Sequence, residues 1–164
     1  MRNANCLSPE CELRAADAIQ DETILTELFC ALRPDLMALP LPAEMFATFI
    51  RQQQSIHVIG MRAQCPNAQT MLLERHGVVQ ASLTFGQQEQ ELRLLELVVL
   101  PHAQRQGLAG MLLNYLQQQA ETLNCSISLR VFHHNQAARA LYERHGFVAV
   151  NGDEISTEMR WSAI

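Results

Sequence analysis

The strongest hydrophobic pattern in the chain follows Gly107. Apolar side chains recur there at spacings of three and four, which predicts an amphipathic helix with one buried face. That face carries Leu108, Met111, Leu112, Tyr115, Leu116, Ala120 and Leu123. The preceding stretch, ELRLLELVVL, is mainly apolar and predicts a buried strand. Pro101 ends this strand because proline has no N–H to donate to a neighbouring strand.

Three more strands and two helices are predicted upstream. CELRAA, from Cys11, predicts a short first strand. Asp17 is placed to cap a helix, which the three prolines of RPDLMALPLP then break, and a second helix is expected to start near Pro42. QTMLLERHGVVQASLTFG predicts two strands joined at His76-Gly77. The inward positions of the two helices are Ile19, Ile24, Leu25, Leu28, Phe29 and Leu32, then Met45, Phe46, Phe49 and Ile50.

The C-terminal part predicts a strand, a helix and a hairpin. SISLRVF is the strand, Asn135 caps the helix, and Gly146 ends it in the left-handed conformation. FVAV and EISTEMRW form a hairpin turning at Asn151-Gly152, a strong short hairpin signal. The predicted order is β-α-α-β-β-β-α-β-α-β-β. It indicates an α/β fold with a mixed, mainly antiparallel sheet.

Composition indicates an ordinary globular domain and excludes some partners. The chain has 164 residues, of which 48% are apolar and 18% charged. Its net charge of −5 argues against nucleic acid as a partner, and weakly favours a cationic substrate. The five cysteines include no close pair of metal-ligand spacing, so we expect no metal and reduced thiols. The absence of a signal-like N-terminus or a membrane-length apolar run predicts a cytoplasmic protein without membrane attachment.

The loop between the fourth strand and the Gly107 helix has the character of a phosphate site. Neither a G-x-G-x-x-G after a strand nor a G-x-x-x-x-G-K-[ST] occurs in the chain, which disfavours dinucleotide and Walker-type sites. Gly107 allows close backbone approach, and the helix start offers N–H groups without internal partners. These groups and the helix dipole would favour a pyrophosphate. The loop alone is equally compatible with a plain strand-to-helix turn.

Two motifs resemble those of the GNAT superfamily of N-acetyltransferases. The first is Q-x-x-G-x-A, from Gln104 to Ala109, after a strand that ends in VVLP. The second is N-x-x-A-x-x-x-Y-x-x-x-G-F, from Asn135 to Phe147. With the element order, the resemblance covers residues 11–161 as a single domain and leaves 1–10 as an N-terminal extension. It implies a GNAT fold, in which a bulge splays the fourth strand from the fifth to leave a notch.

The resemblance also implies a site for acetyl-CoA. Backbone groups of the fourth strand would pair with the pantetheine arm as an added strand does. The N–H groups of 105–110 would hold the pyrophosphate. The residues implied are Leu97, Val98, Val99, Gln104, Arg105, Gln106, Gly107, Leu108, Ala109, Gly110, Asn135 and Tyr142. Many family members carry a basic residue or glycine at the position of Gln106. Arg105 is therefore the only charged side chain of the loop, and phosphate binding should depend on backbone donors.

Tyr142 and Glu96 are the candidate catalytic residues. The resemblance assigns Tyr142 as the acid that protonates the leaving thiolate; the alternative is a tyrosine that packs in the core. Glu96 lies just before the expected bulge and is the candidate base; the alternative is an outward-facing glutamate. Glu91 is a weaker candidate. Some relatives use a glutamate at the position of Arg130, so their base does not carry over.

The resemblance therefore implies an acetyl-CoA-dependent N-acetyltransferase acting on a primary amine of an unidentified small molecule, peptide or protein. The alternative is a coenzyme A-binding module without catalysis, serving as a sensor or interaction partner. His133 and His134 alternate across a strand, which is poor metal geometry, and are expected to decorate its end. Asn135 is expected either to contact the pantetheine arm or only to cap its helix. The chain is expected to be a monomer or a homodimer.

Overall fold

The computed structural model describes residues 8–163, and the first seven positions of the expected N-terminal extension lie outside them. One seven-stranded sheet has the order β1-β2-β3-β4-β5-β7-β6. The strands are β1 (Cys11–Ala15), β2 (Gln69–Arg75), β3 (Val78–Gln88), β4 (Glu91–Val99), β5 (Ser126–Phe132), β6 (Val148–Gly152) and β7 (Ser156–Trp161). Among the seven strands of residues 8–163, only β4 and β5 pair in parallel. The predicted mixed, mainly antiparallel α/β fold is confirmed.

Helices cover the sheet on two sides. They are α1 (Glu22–Leu32), α2 (Pro34–Met37), α3 (Ala43–Gln64), α4 (Leu108–Leu123) and α5 (Gln136–Arg144), with a short 3₁₀ turn at Pro101–Ala103. The main core packs α4 and α5 on the sheet through fully buried side chains such as Leu112, Leu116 and Leu129. A second core packs α1 on the opposite face, where Leu28 meets Leu72 and Val98.

The connection from β1 to α3 departs from the sequence prediction. The α1 helix starts at Glu22 with Asp21 as its N-cap residue, whereas Asp17 accepts N–H bonds from Ile19 and Gln20 in a preceding turn. Ile19 therefore lies outside the helix and is exposed. The proline-rich stretch contains the short α2, because a proline is favourable at a first helical position. Asp21 is bound by Arg14 of β1, which lowers the pKa of Asp21 to about 2 and ties α1 to the sheet.

Three further sequence predictions, two of buried positions and one of a turn, were wrong. Met45 near the start of α3 and Leu123 at the end of α4 are exposed rather than inward-facing. The last hairpin turns after Asn151-Gly152, at a bend in which Asp153 accepts N–H bonds from Ile155 and Ser156. The predicted turn at His76-Gly77 is present, with both residues at positive φ.

The pairing of β4 with β5 stops halfway. Glu91–Leu94 pairs with Ser126–Leu129, and beyond this point the residues Leu95–Val99 have no partner on β5. On its other side β4 remains paired with β3, but Leu95 is skipped, since Glu96 pairs with Thr84 and Leu94 with Phe85. The bulge thus lies one residue before Glu96, whereas the sequence analysis placed it after. A bulge bends its strand, and the two strands separate into the expected notch.

Candidate active site

The start of α4 presents a row of free backbone donors. Within the described residues, none of the N–H groups from Arg105 to Gly110 donates to a backbone or side-chain acceptor, and α4 has no side-chain cap. Arg105 has a φ of 60° and Gly107 a φ of 81°, so both adopt the left-handed conformation. A row of unpaired N–H groups at the positive end of a helix dipole suits an anion. The sequence-predicted loop therefore has the donors of a phosphate cradle.

The glutamine side chains of this loop are engaged within the protein. Gln104 donates from Nε2 to the carbonyl of Val99 at 3.1 Å, and Gln106 donates to the carbonyl of His102 at 3.2 Å. Gln106 also accepts a hydrogen bond from Arg75, at the end of β2. The sequence analysis missed Arg75, because it lies 31 positions away in the chain. Arg75 brings a second guanidinium beside a loop in which Arg105 is the only charged residue.

The notch has one unpaired strand edge and two different faces. Along the notch side of β4, the backbone of Leu97, Val98 and Val99 has no strand partner on β5. Leu97 and Val99 pack against the core under α4, whereas Val98 packs against α1. The notch therefore leads from the face covered by α4 and α5 to the face covered by α1 and α3.

Tyr142 lies on the α4–α5 side. Its helix begins at Asn135, whose Oδ1 accepts the N–H of Ala138 at 3.2 Å, so the capping role predicted for Asn135 is present. The Tyr142 ring packs on Phe147 with centroids 5.8 Å apart, and burial raises the pKa of the phenol to about 12. Within residues 8–163 the hydroxyl forms no hydrogen bond, yet no fully buried polar side-chain atom lacks a partner. The hydroxyl therefore keeps access to solvent and remains protonated at neutral pH.

Glu96 faces the opposite side of the sheet. It lines a cavity of about 350 Å³ between α1, α3 and the sheet, and one of its carboxylate oxygens contacts Nε2 of His57 on α3. The Glu96 side chain is 14% exposed, so most of its surface is covered by the residues around this cavity. The sequence analysis did not consider His57, since no local motif relates a mid-helix histidine to a strand residue 39 positions later.

The remaining candidates are occupied elsewhere. Glu91 accepts hydrogen bonds from Ser128 at 2.6 Å and from Arg160 at 3.0 Å, which makes it a member of a surface ion-pair network. His133 contacts the Thr157 hydroxyl at 3.1 Å, and His134 stacks on an exposed phenylalanine. In the part of the chain that the structure describes, no three His, Cys, Asp or Glu side chains converge as a metal site would require.

The chain belongs to the acetyltransferase (GNAT) family, whose sequence profile matches residues 33–147. No curated protein matches the chain significantly. No helix among residues 8–163 has the length and apolarity to cross a membrane.

Solved structures share the fold at low sequence identity. The PaiA N-acetyltransferase from Thermoplasma acidophilum, in complex with coenzyme A, is 14% identical with a TM-score of 0.71, covering 93% of this chain and 99% of its own. The ribosomal-protein-S18-alanine N-acetyltransferase from Escherichia coli is 23% identical with a TM-score of 0.63, covering 93% of each chain. The yncA protein from Salmonella typhimurium, with its cofactor acetyl-CoA, is 17% identical with a TM-score of 0.60, covering 93% and 94%.

Proposed function

We propose that the protein is an acetyl-CoA-dependent N-acetyltransferase that acts on a primary amine. The observation that carries the proposal is the notch, with the phenol of Tyr142 on one face of the sheet and the carboxylate of Glu96 on the other. Amide formation from a thioester needs a proton acceptor for the amine and a proton donor for the leaving sulfur. The two groups are of the right chemical types, and the notch joins the faces on which they lie.

The residues of the cradle fit acetyl-CoA. The unpaired edge at Leu97–Val99 supplies N–H and C=O groups for an amide-bearing pantetheine arm, in the manner of an added strand. The free N–H groups of 105–110 suit the pyrophosphate, and the guanidinium groups of Arg105 and Arg75 add positive charge nearby. Coenzyme A and acetyl-CoA in the PaiA and yncA structures support this assignment.

In the proposed reaction Glu96 takes a proton from the ammonium group of the acceptor, and the freed amine attacks the thioester carbonyl. Tyr142 then gives its phenolic proton to the sulfur as the carbon–sulfur bond breaks, and the nitrogen loses its second proton to solvent as the neutral amide forms. Tyr142 regains a proton from solvent and Glu96 releases its proton to solvent, so one proton is released in each turnover. Because burial raises the pKa of Tyr142 to about 12, the donor stays protonated across the pH range in which the amine is turned over. No acetylated side chain is needed, since the amine attacks directly through the notch.

The test is a panel of primary amines incubated with acetyl-CoA, with release of the free thiol as the readout. The panel covers small amines, amino acids and peptides with free N-termini. Thiol release that depends on both protein and amine supports the proposal. Tight binding of coenzyme A without transfer to any amine would instead favour the catalytically inactive sensor.

The charge of the cradle can be tested at Gly107. Added side-chain atoms there meet open space, but the φ of 81° strains any other residue. Gly107→Gln and Gly107→Glu therefore share strain and size and differ in charge. We expect Gly107→Glu to bind coenzyme A at least about tenfold more weakly than Gly107→Gln, because a carboxylate would stand beside the pyrophosphate. The measurement is calorimetric affinity on folded variants. Equal affinities would contradict a phosphate site at this loop.

A further inference from the structure

The cavity lined by Glu96 indicates a class of acceptor that neither of the two sequence motifs indicates. It lies between α1, α3 and the sheet, and Glu96 in its lining is two residues beyond Leu94, where the pairing of β4 with β5 ends. We infer that this cavity takes a compact primary monoamine with an apolar body, and that His57 holds Glu96 in position to accept the proton of that amine. The inference rests on the proposed function and adds the acceptor class and a positioning residue to it.

The size and lining of the cavity select the body of the acceptor. Its volume of about 350 Å³ is near the lower end of the roughly 300–1,000 Å³ typical of small-molecule sites. The sheet contributes polar side chains, among them Thr84, and apolar side chains from α1, α3 and the β1–α1 connection form much of the remaining wall. The apolar side chains include Leu25, Leu28, Phe29, Val58 and Met61. A compact hydrocarbon or aromatic group gains most from such a wall, because its apolar surface leaves water.

The charges of the cavity limit the acceptor to one ammonium group. Glu96 is the only carboxylate in the lining, and it lies beside the notch. The other ionisable residues of the lining are His57 and Arg62, both on α3. Arg62 forms no ion pair within the described residues, so its guanidinium would repel a second cationic group on the acceptor. A diamine of similar length therefore fits less well than a monoamine.

His57 fixes the carboxylate that faces this amine. Its Nε2 contacts Oε2 of Glu96, and its ring lies against Phe29 of α1 with centroids 5.5 Å apart. The contact joins α3 to β4 across the cavity and leaves Oε1 of Glu96 without a protein hydrogen-bond donor among residues 8–163. The contact between Nε2 of His57 and Oε2 holds the carboxylate in one orientation. Oε1 is thus left to take the proton of the amine, while the electron pair stays on the amine nitrogen.

The first experiment compares kcat/KM for three amines and then tests a variant whose larger side chain occupies the cavity. The probes are 3-methylbutylamine, 2-phenylethylamine and 1,4-diaminobutane with the wild-type protein. We expect kcat/KM to be at least about tenfold higher for the better monoamine than for the diamine. Val58→Trp, which projects into the cavity, should raise the KM for that monoamine about tenfold or more. Ile59→Trp is the matched control, because Ile59 is the next residue of α3, is 67% exposed and does not line the cavity.

The second experiment removes the donor at His57. His57→Phe keeps a ring on Phe29 but cannot hydrogen-bond, whereas His57→Gln keeps an N–H donor. We expect His57→Phe to lower kcat about tenfold or more with little change in the KM of the monoamine, and His57→Gln to restore most of the wild-type kcat. A merely structural role would lower kcat equally in His57→Phe and His57→Gln, and such a result would overturn the role of His57.

Failure of this inference is distinguishable from failure of the proposed function. Faster transfer to the diamine, or an equal KM in Val58→Trp and wild type, would overturn the acceptor class while transfer itself persists. Affinity for acetyl-CoA, measured on every variant, should remain within about twofold of wild type. Absence of transfer to all amines in both the wild type and the variants would overturn the proposed function and this inference together.

Discussion

Tyr142→Phe should lower kcat by about 10²-fold or more and leave the affinity for acetyl-CoA unchanged. Phenylalanine keeps the ring that packs on Phe147 and removes only the hydroxyl, so the core is preserved while the leaving thiolate loses its proton donor. Steady-state turnover with the best amine and calorimetric affinity for acetyl-CoA check the two halves of the expectation.

The matched control is Tyr115→Phe, the same change at the only other tyrosine of the chain. Tyr115 is half-buried on α4 and its ring lies 6.5 Å from that of Phe85. This variant should turn over at close to the wild-type rate. Full turnover by Tyr142→Phe would leave Tyr142 as a core residue only, which is the alternative that the sequence allowed.

Glu96→Gln should lower turnover most at low pH. A lysine-like amine has a pKa of about 10.4, so near neutral pH almost all of the acceptor arrives protonated and needs a base. Removing the base should lower turnover about 10²–10⁴-fold near neutral pH. As the pH rises, solution supplies more free amine and the deficit should shrink. The measurement is a pH–rate profile of both proteins with the same amine.

Glu91→Gln serves as the control on the same strand. Its carboxylate is held by Ser128 and Arg160 on the far side of the pairing from the notch, so the pH–rate profile should match that of wild type. A Glu96→Gln deficit that stays constant across pH would assign Glu96 to positioning rather than to proton transfer. The base would then have to be another group.

The sequence predicts the elements with long, regular patterns and misplaces those set by tertiary contacts. The α4 helix follows directly from its three-and-four spacing, and β3 and β4 from their apolar runs. The start of α1 does not follow in this way, because Asp17 and Asp21 are equally good capping residues in the sequence. In the structure Asp21 precedes the helix and pairs with Arg14 of β1, a contact between distant residues that the sequence does not indicate. Similarly, the register that leaves Leu95 unpaired depends on how β3 pairs with β4.

The residues of the candidate site likewise fall into two groups, those that a local motif predicts and those that only tertiary contacts bring together. The cradle is a local feature, because one continuous loop and the helix after it supply its donors, and the motif locates both. Arg75 and His57 come from β2 and α3 and reach the site only when the sheet and helices assemble. A single sequence contains no signal that relates His57 to Glu96, since a histidine within a polar helix is equally compatible with solvent exposure.

Because β4 and β5 separate, the sheet divides the molecule into two sides and leaves an opening that connects them. In the proposed reaction the nucleotide part of acetyl-CoA and the body of the amine occupy separate volumes. Either substrate can load first, and the two can be present together as a ternary complex. After transfer, coenzyme A and the amide can leave in opposite directions. A fully paired sheet would force both molecules through one entrance and make release of the first product a condition for release of the second.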